Sequence, residues 1–200
     1  MQRAPLKLAV FSAAGFEAEP LLSVLAENQL DFVAHTFGVG ALKAARSIVN
    51  LSQAARDRHA IFIGTCGTFG NFDGPSLISA NEVHWLPTCE RAGLSYAIPD
   101  SAPPVKINRP LPWTSSLRVA TVICAPNISL TNSLPPSLNP SNCVENIELY
   151  SCAEALQDSA LSLSAILCTT NAVGPGAHEQ WVRNFKNAAR LTADFVRENL

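Results

Sequence analysis

Charge is scarce in this sequence. Of 200 residues only 15% are Asp, Glu, Lys or Arg, and lysine and arginine nowhere form a run. The net charge is −2. Nucleic-acid binding needs a basic surface to meet the phosphates, so no nucleic-acid partner is expected. Long hydrophobic runs are missing too. The run around Leu8–Ala14 falls far short of the roughly 20 apolar residues of a spanning helix, so no membrane partner is expected. The six cysteines (Cys66, Cys89, Cys124, Cys143, Cys152 and Cys168) form no CxxC pair, and the four histidines are scattered. Neither a disulfide framework nor a metal centre is expected, and no cofactor is implied. The opening Met-Gln-Arg-Ala-Pro-Leu-Lys lacks the layout of a cleavable signal. With buried-looking thiols, that makes the cytoplasm the expected location. No internal repeat is present.

What is there is apolar matter in short pieces: 48% of the residues are hydrophobic, and the length fits one domain over residues 1–200. Short apolar runs alternate with helical patterns. Lys7–Ser12, Asp31–Phe37, His59–Ile63, Ser76–Trp85, Arg118–Cys124 and Ser164–Thr170 read as strands. Glu17–Asn28, Ala41–Arg58, Asn146–Gln157 and Gln180–Glu198 read as helices. Such alternation predicts an α/β domain of three layers, a mostly parallel sheet covered on both faces. Its ligand crevice lies at the carboxyl ends of the strands. Two segments break the pattern. Ala97–Pro112, with five prolines, reads as a surface excursion, and Asn132–Asn142 as a mobile loop beside the crevice.

The strand ends carry the candidate chemistry. Glu17 follows the first strand, where a carboxylate can activate water or position a hydroxyl. A helix start favours an acidic residue for its own sake, and Glu19 competes for the role. Gly64-Thr65-Cys66-Gly67 reads as a small-residue turn that lets backbone approach a flat ligand; an ordinary tight turn is the bland alternative. No Lys-Ser/Thr follows it, so it is not a P-loop. Gly38-Val39-Gly40 is a weaker signal of the same kind. Glu145 and Glu148 precede an apolar helix, and a carboxylate accepting two hydrogen bonds suits a vicinal diol such as ribose. Asn171 ends the last apolar strand and offers one acceptor and two donors, matching a purine edge with N7 and a 6-oxo group. A turn-forming Asn is the alternative.

Together these stretches resemble the purine nucleoside phosphorylase and nucleosidase superfamily, and within it the futalosine hydrolases. Leu8–Glu19 (LAVFSAAGFEAE) is similar to the family's first strand and acidic turn, and Phe37–Ala45 (FGVGALKAA) to its Gly-Ile-Gly-Lys-x-x-Ala-Ala segment. Ile63–Phe69 (IGTCGTF) resembles the wall of the base pocket, Val144–Glu148 (VENIE) the Val-Glu-x-Met-Glu ribose motif, and Leu167–Trp181 the Ser-Asn-x-Val-Gly-Pro…Trp run. The resemblance implies a nucleoside phosphorylase-like α/β/α fold with a mixed, mostly parallel sheet, and a homo-oligomer, often a dimer. It implies Glu17 as the water-activating glutamate and Glu148 as the ribose carboxylate, with Ile147 in place of Met under the sugar. Thr65, Cys66 and Gly67 stand at the base, and Asn171 binds it. Adenine-specific nucleosidases carry Asp at that position, so Asn171 fits a 6-oxopurine better. Ser129, in Cys124–Ser129 (CAPNIS), stands where an aromatic usually stacks on the purine. Phe62 stands where the hexameric phosphorylases hold phosphate with Arg, and an apolar ring cannot bind a dianion. The expected substrate is therefore a purine nucleoside of the futalosine type, cleaved by water to release hypoxanthine as a step toward menaquinone. A methylthioadenosine/S-adenosylhomocysteine-type nucleosidase and a non-catalytic nucleoside-binding protein are the alternatives.

Overall fold

The computed structural model describes residues 6–51, 57–96, 102–107, 110–157 and 161–200. In chain order the elements are β1 (Lys7–Ser12), α1 (Gly15–Glu27), β2 (Asp31–Thr36), α2 (Ala41–Leu51), β3 (His59–Thr68), β4 (Leu77–Trp85), the short α3 (Thr88–Arg91), β5 (Val105–Lys106), β6 (Arg118–Cys124), β7 (Cys143–Glu145), α4 (Leu149–Gln157), β8 (Leu163–Ala172) and α5 (Ala177–Asn199). Strands β1 and β3 are apolar on both faces, because successive side chains of a strand point to opposite sides. Leu8, Val10, Ile61 and Ile63 pack with Leu21 and Leu25 of α1 and Val196 of α5. Ala9, Phe11, Ala60 and Phe62 pack with Ala44 and Ile48 of α2 and Leu149 and Leu156 of α4. Each face therefore has its own helix layer, and the three-layer expectation holds.

The sheet runs β2-β1-β3-β7-β6-β4-β5, with β8 pairing to both β3 and β4. Five pairings are parallel (β1 with β2 and β3, β3 with β8, β4 with β6, β6 with β7), and β7–β3, β4–β5 and β4–β8 are antiparallel. The mixed, mostly parallel sheet is thus as expected. One feature was not foreseen. Because β8 bridges β3 and β4, the path β3-β7-β6-β4-β8 closes on itself, and β1 and β2 extend from that ring as an open wing.

The expected turn at Gly64–Gly67 is instead strand. β3 continues through Thr68, paired with the equally long β8. Neither glycine adopts a positive φ, so they serve close packing and not chain reversal. Part of Ala97–Pro112 also departs from a surface excursion. Residues 97–101 and 108–109 lie outside the described residues, but Val105 pairs with Val83, and Ile107 and Leu111 are buried. Residues 52–56 of the expected second helix are likewise outside. The stretch 132–142 has only one turn of 3-10 helix (Pro140–Asn142), and Leu134 and Leu138 anchor it against Phe69 and Val173. Among the described residues no helix is long and apolar enough to cross a membrane, and no group of His, Cys, Asp and Glu is placed to hold a metal ion.

Candidate active site

A cavity of about 250 Å³ opens at the carboxyl ends of the strands. Its first wall is the start of α1. Glu17 occupies the third helical position, where its Oε2 accepts the Ala14 N–H at 3.2 Å, one half of a capping box. Its Oε1 accepts the Thr65 N–H at 3.0 Å and the Thr65 hydroxyl at 3.1 Å. Burial pushes the Glu17 carboxyl up to about 7. The Thr65 bonds pull the other way and the Glu148 charge adds to the rise. A base poised near neutrality is what proton abstraction from water at physiological pH requires.

The opposite wall is the turn from β7 into α4. Glu148 is buried, and its Oε1 accepts the Gly40 N–H at 2.9 Å. Gly40 presents that N–H from a φ of +110°, a conformation L side chains rarely adopt. Burial raises the Glu148 carboxyl above its usual range, and the backbone hydrogen bonds offset this only in part. Asn146 joins this wall to the first. Its Oδ1 accepts the N–H groups of Glu148 and Leu149 at 3.0 and 2.8 Å, capping α4, and its Nδ2 donates to the Thr65 carbonyl at 3.1 Å.

The floor is the β3–β8 pair. Its register slips between Cys66, opposite Thr169, and Gly67, opposite Asn171, which leaves Thr170 as a bulge. The Thr170 hydroxyl contacts the Cys66 carbonyl and donates to Asn171 Oδ1 at 2.8 Å, while Asn171 Nδ2 donates to the Ala172 carbonyl at 3.0 Å. That amide is fixed, with one Nδ2 hydrogen left over. A Cβ on residue 67 would stand 2.7 Å from Asn171 Nδ2, so only glycine leaves the amide its place. Burial keeps the neighbouring Cys66 thiol protonated.

Of the expected residues, Glu17, Thr65, Cys66, Gly67, Ile147, Glu148 and Asn171 all line this one cavity. Glu19 is exposed and does not line it, so Glu17 is the carboxylate at the mouth. Ser129 is a correction. It does not line the cavity: it is buried against Glu145, Arg91 and Thr88, which take up its hydroxyl. Its neighbour Ile128, largely exposed, faces the opening instead. The pattern of Cys124–Ser129 has no period that fixes which side chain turns inward. Sequence reasoning assigned no role to Asn146, though an Asn ahead of an apolar helical run is a capping signal. It likewise passed over Phe16 and His178, and gave no role to the Trp181 that closes the Leu167–Trp181 run; all three line the cavity.

No family model and no curated protein sequence matches this chain. Solved structures do. Futalosine hydrolase of Helicobacter pylori superposes with a TM-score of 0.77 over 98% of both chains at 11% identity. The H. pylori 5′-methylthioadenosine/S-adenosylhomocysteine nucleosidase, solved as a mutant with 5′-methylthioadenosine in its active site, gives 0.78 over 98% of both chains at 12% identity. The corresponding Streptococcus pneumoniae nucleosidase, bound to a transition-state inhibitor, gives 0.76 at 13% identity over 96% of this chain and 97% of that one. The fold of this chain is the fold of these nucleosidases.

Proposed function

We propose that the cavity hydrolyses the N-glycosidic bond of a purine nucleoside, of the 6-oxopurine, futalosine type, and releases hypoxanthine. The observation that carries this reading is the convergence of Glu17, Glu148 and Asn171, far apart in sequence, on one cavity whose fold is shared with nucleosidases. Glu148 accepts the ribose hydroxyls with the oxygen that Gly40 leaves open. The leftover Nδ2 hydrogen of Asn171 donates to N7 or the 6-oxo oxygen of the base. As the C1′–N9 bond lengthens, its electron pair moves onto the purine and positive charge develops on the sugar. Nearby carboxylates stabilise that charge. Water adds to C1′, Glu17 takes its proton, and the departing base acquires a proton from solvent because an amide has none to give.

Water is the acceptor in this reading, and not phosphate. The lining carries Glu17, Glu145 and Glu148 and, among the described residues, no lysine or arginine. A phosphate dianion would meet like charge there. Phe62 is fully buried against Phe37.

The test is release of hypoxanthine from futalosine and inosine by the purified protein. Turnover lowered about a thousandfold in Glu17→Gln is the expected result. No release from either substrate, with wild type and Glu17→Gln alike, overturns the reading. Adenine release from methylthioadenosine in preference to hypoxanthine release would replace the 6-oxopurine assignment.

A further inference from the structure

At the rim, α5 presents His178, Trp181 and Phe185 at helical spacing, so the three rings form a column. Trp181 lies nearly parallel to both neighbours, 18° from His178 with centroids 5.8 Å apart and 16° from Phe185 with centroids 4.8 Å apart. Phe16 meets the column edge-on, at 5.8 Å from Trp181 and 5.0 Å from Phe185. The indole is thus braced by rings on either side of it along α5 and by Phe16. What Trp181 turns toward the cavity is its edge, and Nε1–H donates to Thr65 Oγ1 at 3.1 Å.

That bond has a directional consequence. An indole N–H only donates, so it takes a lone pair of the Thr65 oxygen. The single hydroxyl hydrogen of Thr65 is then left for Glu17 Oε1, 3.1 Å away. A hydroxyl that accepts one hydrogen bond also becomes a better donor in the next. We infer that Trp181 is a positioning residue for Glu17: it acts through the Thr65 hydroxyl, holding both Thr65 donors on one carboxylate oxygen while the Ala14 N–H holds the other. The inference rests on Glu17 being the water-activating group for its catalytic meaning, and on geometry alone for the relay itself. The titratable groups that share the cavity with Glu17 are Glu148, Glu145, Cys66 and His178.

The relay is tested without substrate, by following the Glu17 carboxyl titration with carbon-13 NMR in wild type, Trp181→Phe, Thr65→Val and the double variant. Trp181→Phe keeps the ring column and removes the donor. An isosteric benzothienylalanine at position 181 does the same if the Phe variant folds poorly. The expected result is an upward shift of roughly half a pH unit in Trp181→Phe, about threefold in the protonation constant. A larger shift is expected in Thr65→Val, with the double variant no different from Thr65→Val. An unmoved titration in both position-181 variants, or shifts that add in the double variant, overturns the relay. Where a nucleoside is turned over, the acid limb of kcat/KM moves up with the titration while KM stays within about twofold; a merely structural role would lower activity at every pH. Because the titration needs no turnover, absence of nucleosidase activity and absence of the relay give different results.

Discussion

Glu145 and Glu148 stand in one short motif, both are buried, and both line the cavity, yet their surroundings differ. Glu145 is neutralised. Arg91 Nη2 lies 3.4 Å from its Oε1, its Oε2 accepts the Ser129 N–H at 3.1 Å, and the Ser129 hydroxyl closes the group. Arg91 in turn holds the Ser133 carbonyl at 2.8 Å and lies over the Phe69 ring. Among the described residues Glu148 has no cation beside it; backbone N–H groups oppose the effect of its burial. Glu17 resembles Glu148 in this. A buried carboxylate with a guanidinium and satisfied oxygens fastens loops together. One opposed only by neutral donors is held at an energetic disadvantage, which a ligand's hydroxyls or a water can relieve.

The contrast can be broken at several points. Glu17→Gln should lower kcat about a thousandfold, the range for loss of a general base, measured as hypoxanthine release. The same carboxyl should show itself in stability. Its folded value of about 7 lies above the ordinary 4.5, so the native state holds the proton more tightly than the unfolded chain. Stability is then highest below about pH 4.5, falls as pH rises to about 7, and levels off. The loss amounts to up to about 3 kcal/mol; urea melts across this window should show the decline in wild type and its loss in Glu17→Gln. Arg91→Met strands Glu145 and should destabilise the protein by about 3 kcal/mol in the same melts, with kcat/KM per folded molecule within about threefold of wild type. Glu148→Gln should do the reverse. It should leave folding intact or slightly improved and lower kcat/KM roughly 30-fold through a weakened charged hydrogen bond, with a 2′-deoxy substrate losing much less. The smallest effect belongs to Ile147→Met, a near-isosteric change in the cavity lining, expected within about threefold in kcat/KM.

The most legible parts of the fold were the strands buried on both faces. Lys7–Ser12 and Arg118–Cys124 are bounded as their apolar runs are bounded. Ring closure was not legible. It depends on β7, three residues long, and on β8 reaching β4 across the molecule. Gly64 and Gly67 look like punctuation to any local reading; only the pairing with β8, about a hundred residues away, makes them strand. The site divides in the same way. Glu17, Glu148 and Asn171 could be singled out because each lies close to a strand or helix boundary that the apolar pattern predicts. That Ser129 turns away from the cavity and Ile128 toward it was not legible, because nothing local orients their loop. The Trp181–Thr65 bond joins α5 to β3, and no spacing rule relates the two.

The register of β3 on β8 also sets a schedule. Ala60 pairs with Leu163 and Gly67 with Asn171, so the floor of the cavity is woven from segments made far apart in time. A nascent chain that has produced Glu17, Thr65 and Glu148 still has an open seam where β8 belongs, with the edges of β3 and β4 unpaired there. Pairing across such distances is slow to find and prone to mispairing while it waits. The cavity floor and the closed sheet are therefore completed by the same strand, β8, and the rim by the helix that follows it.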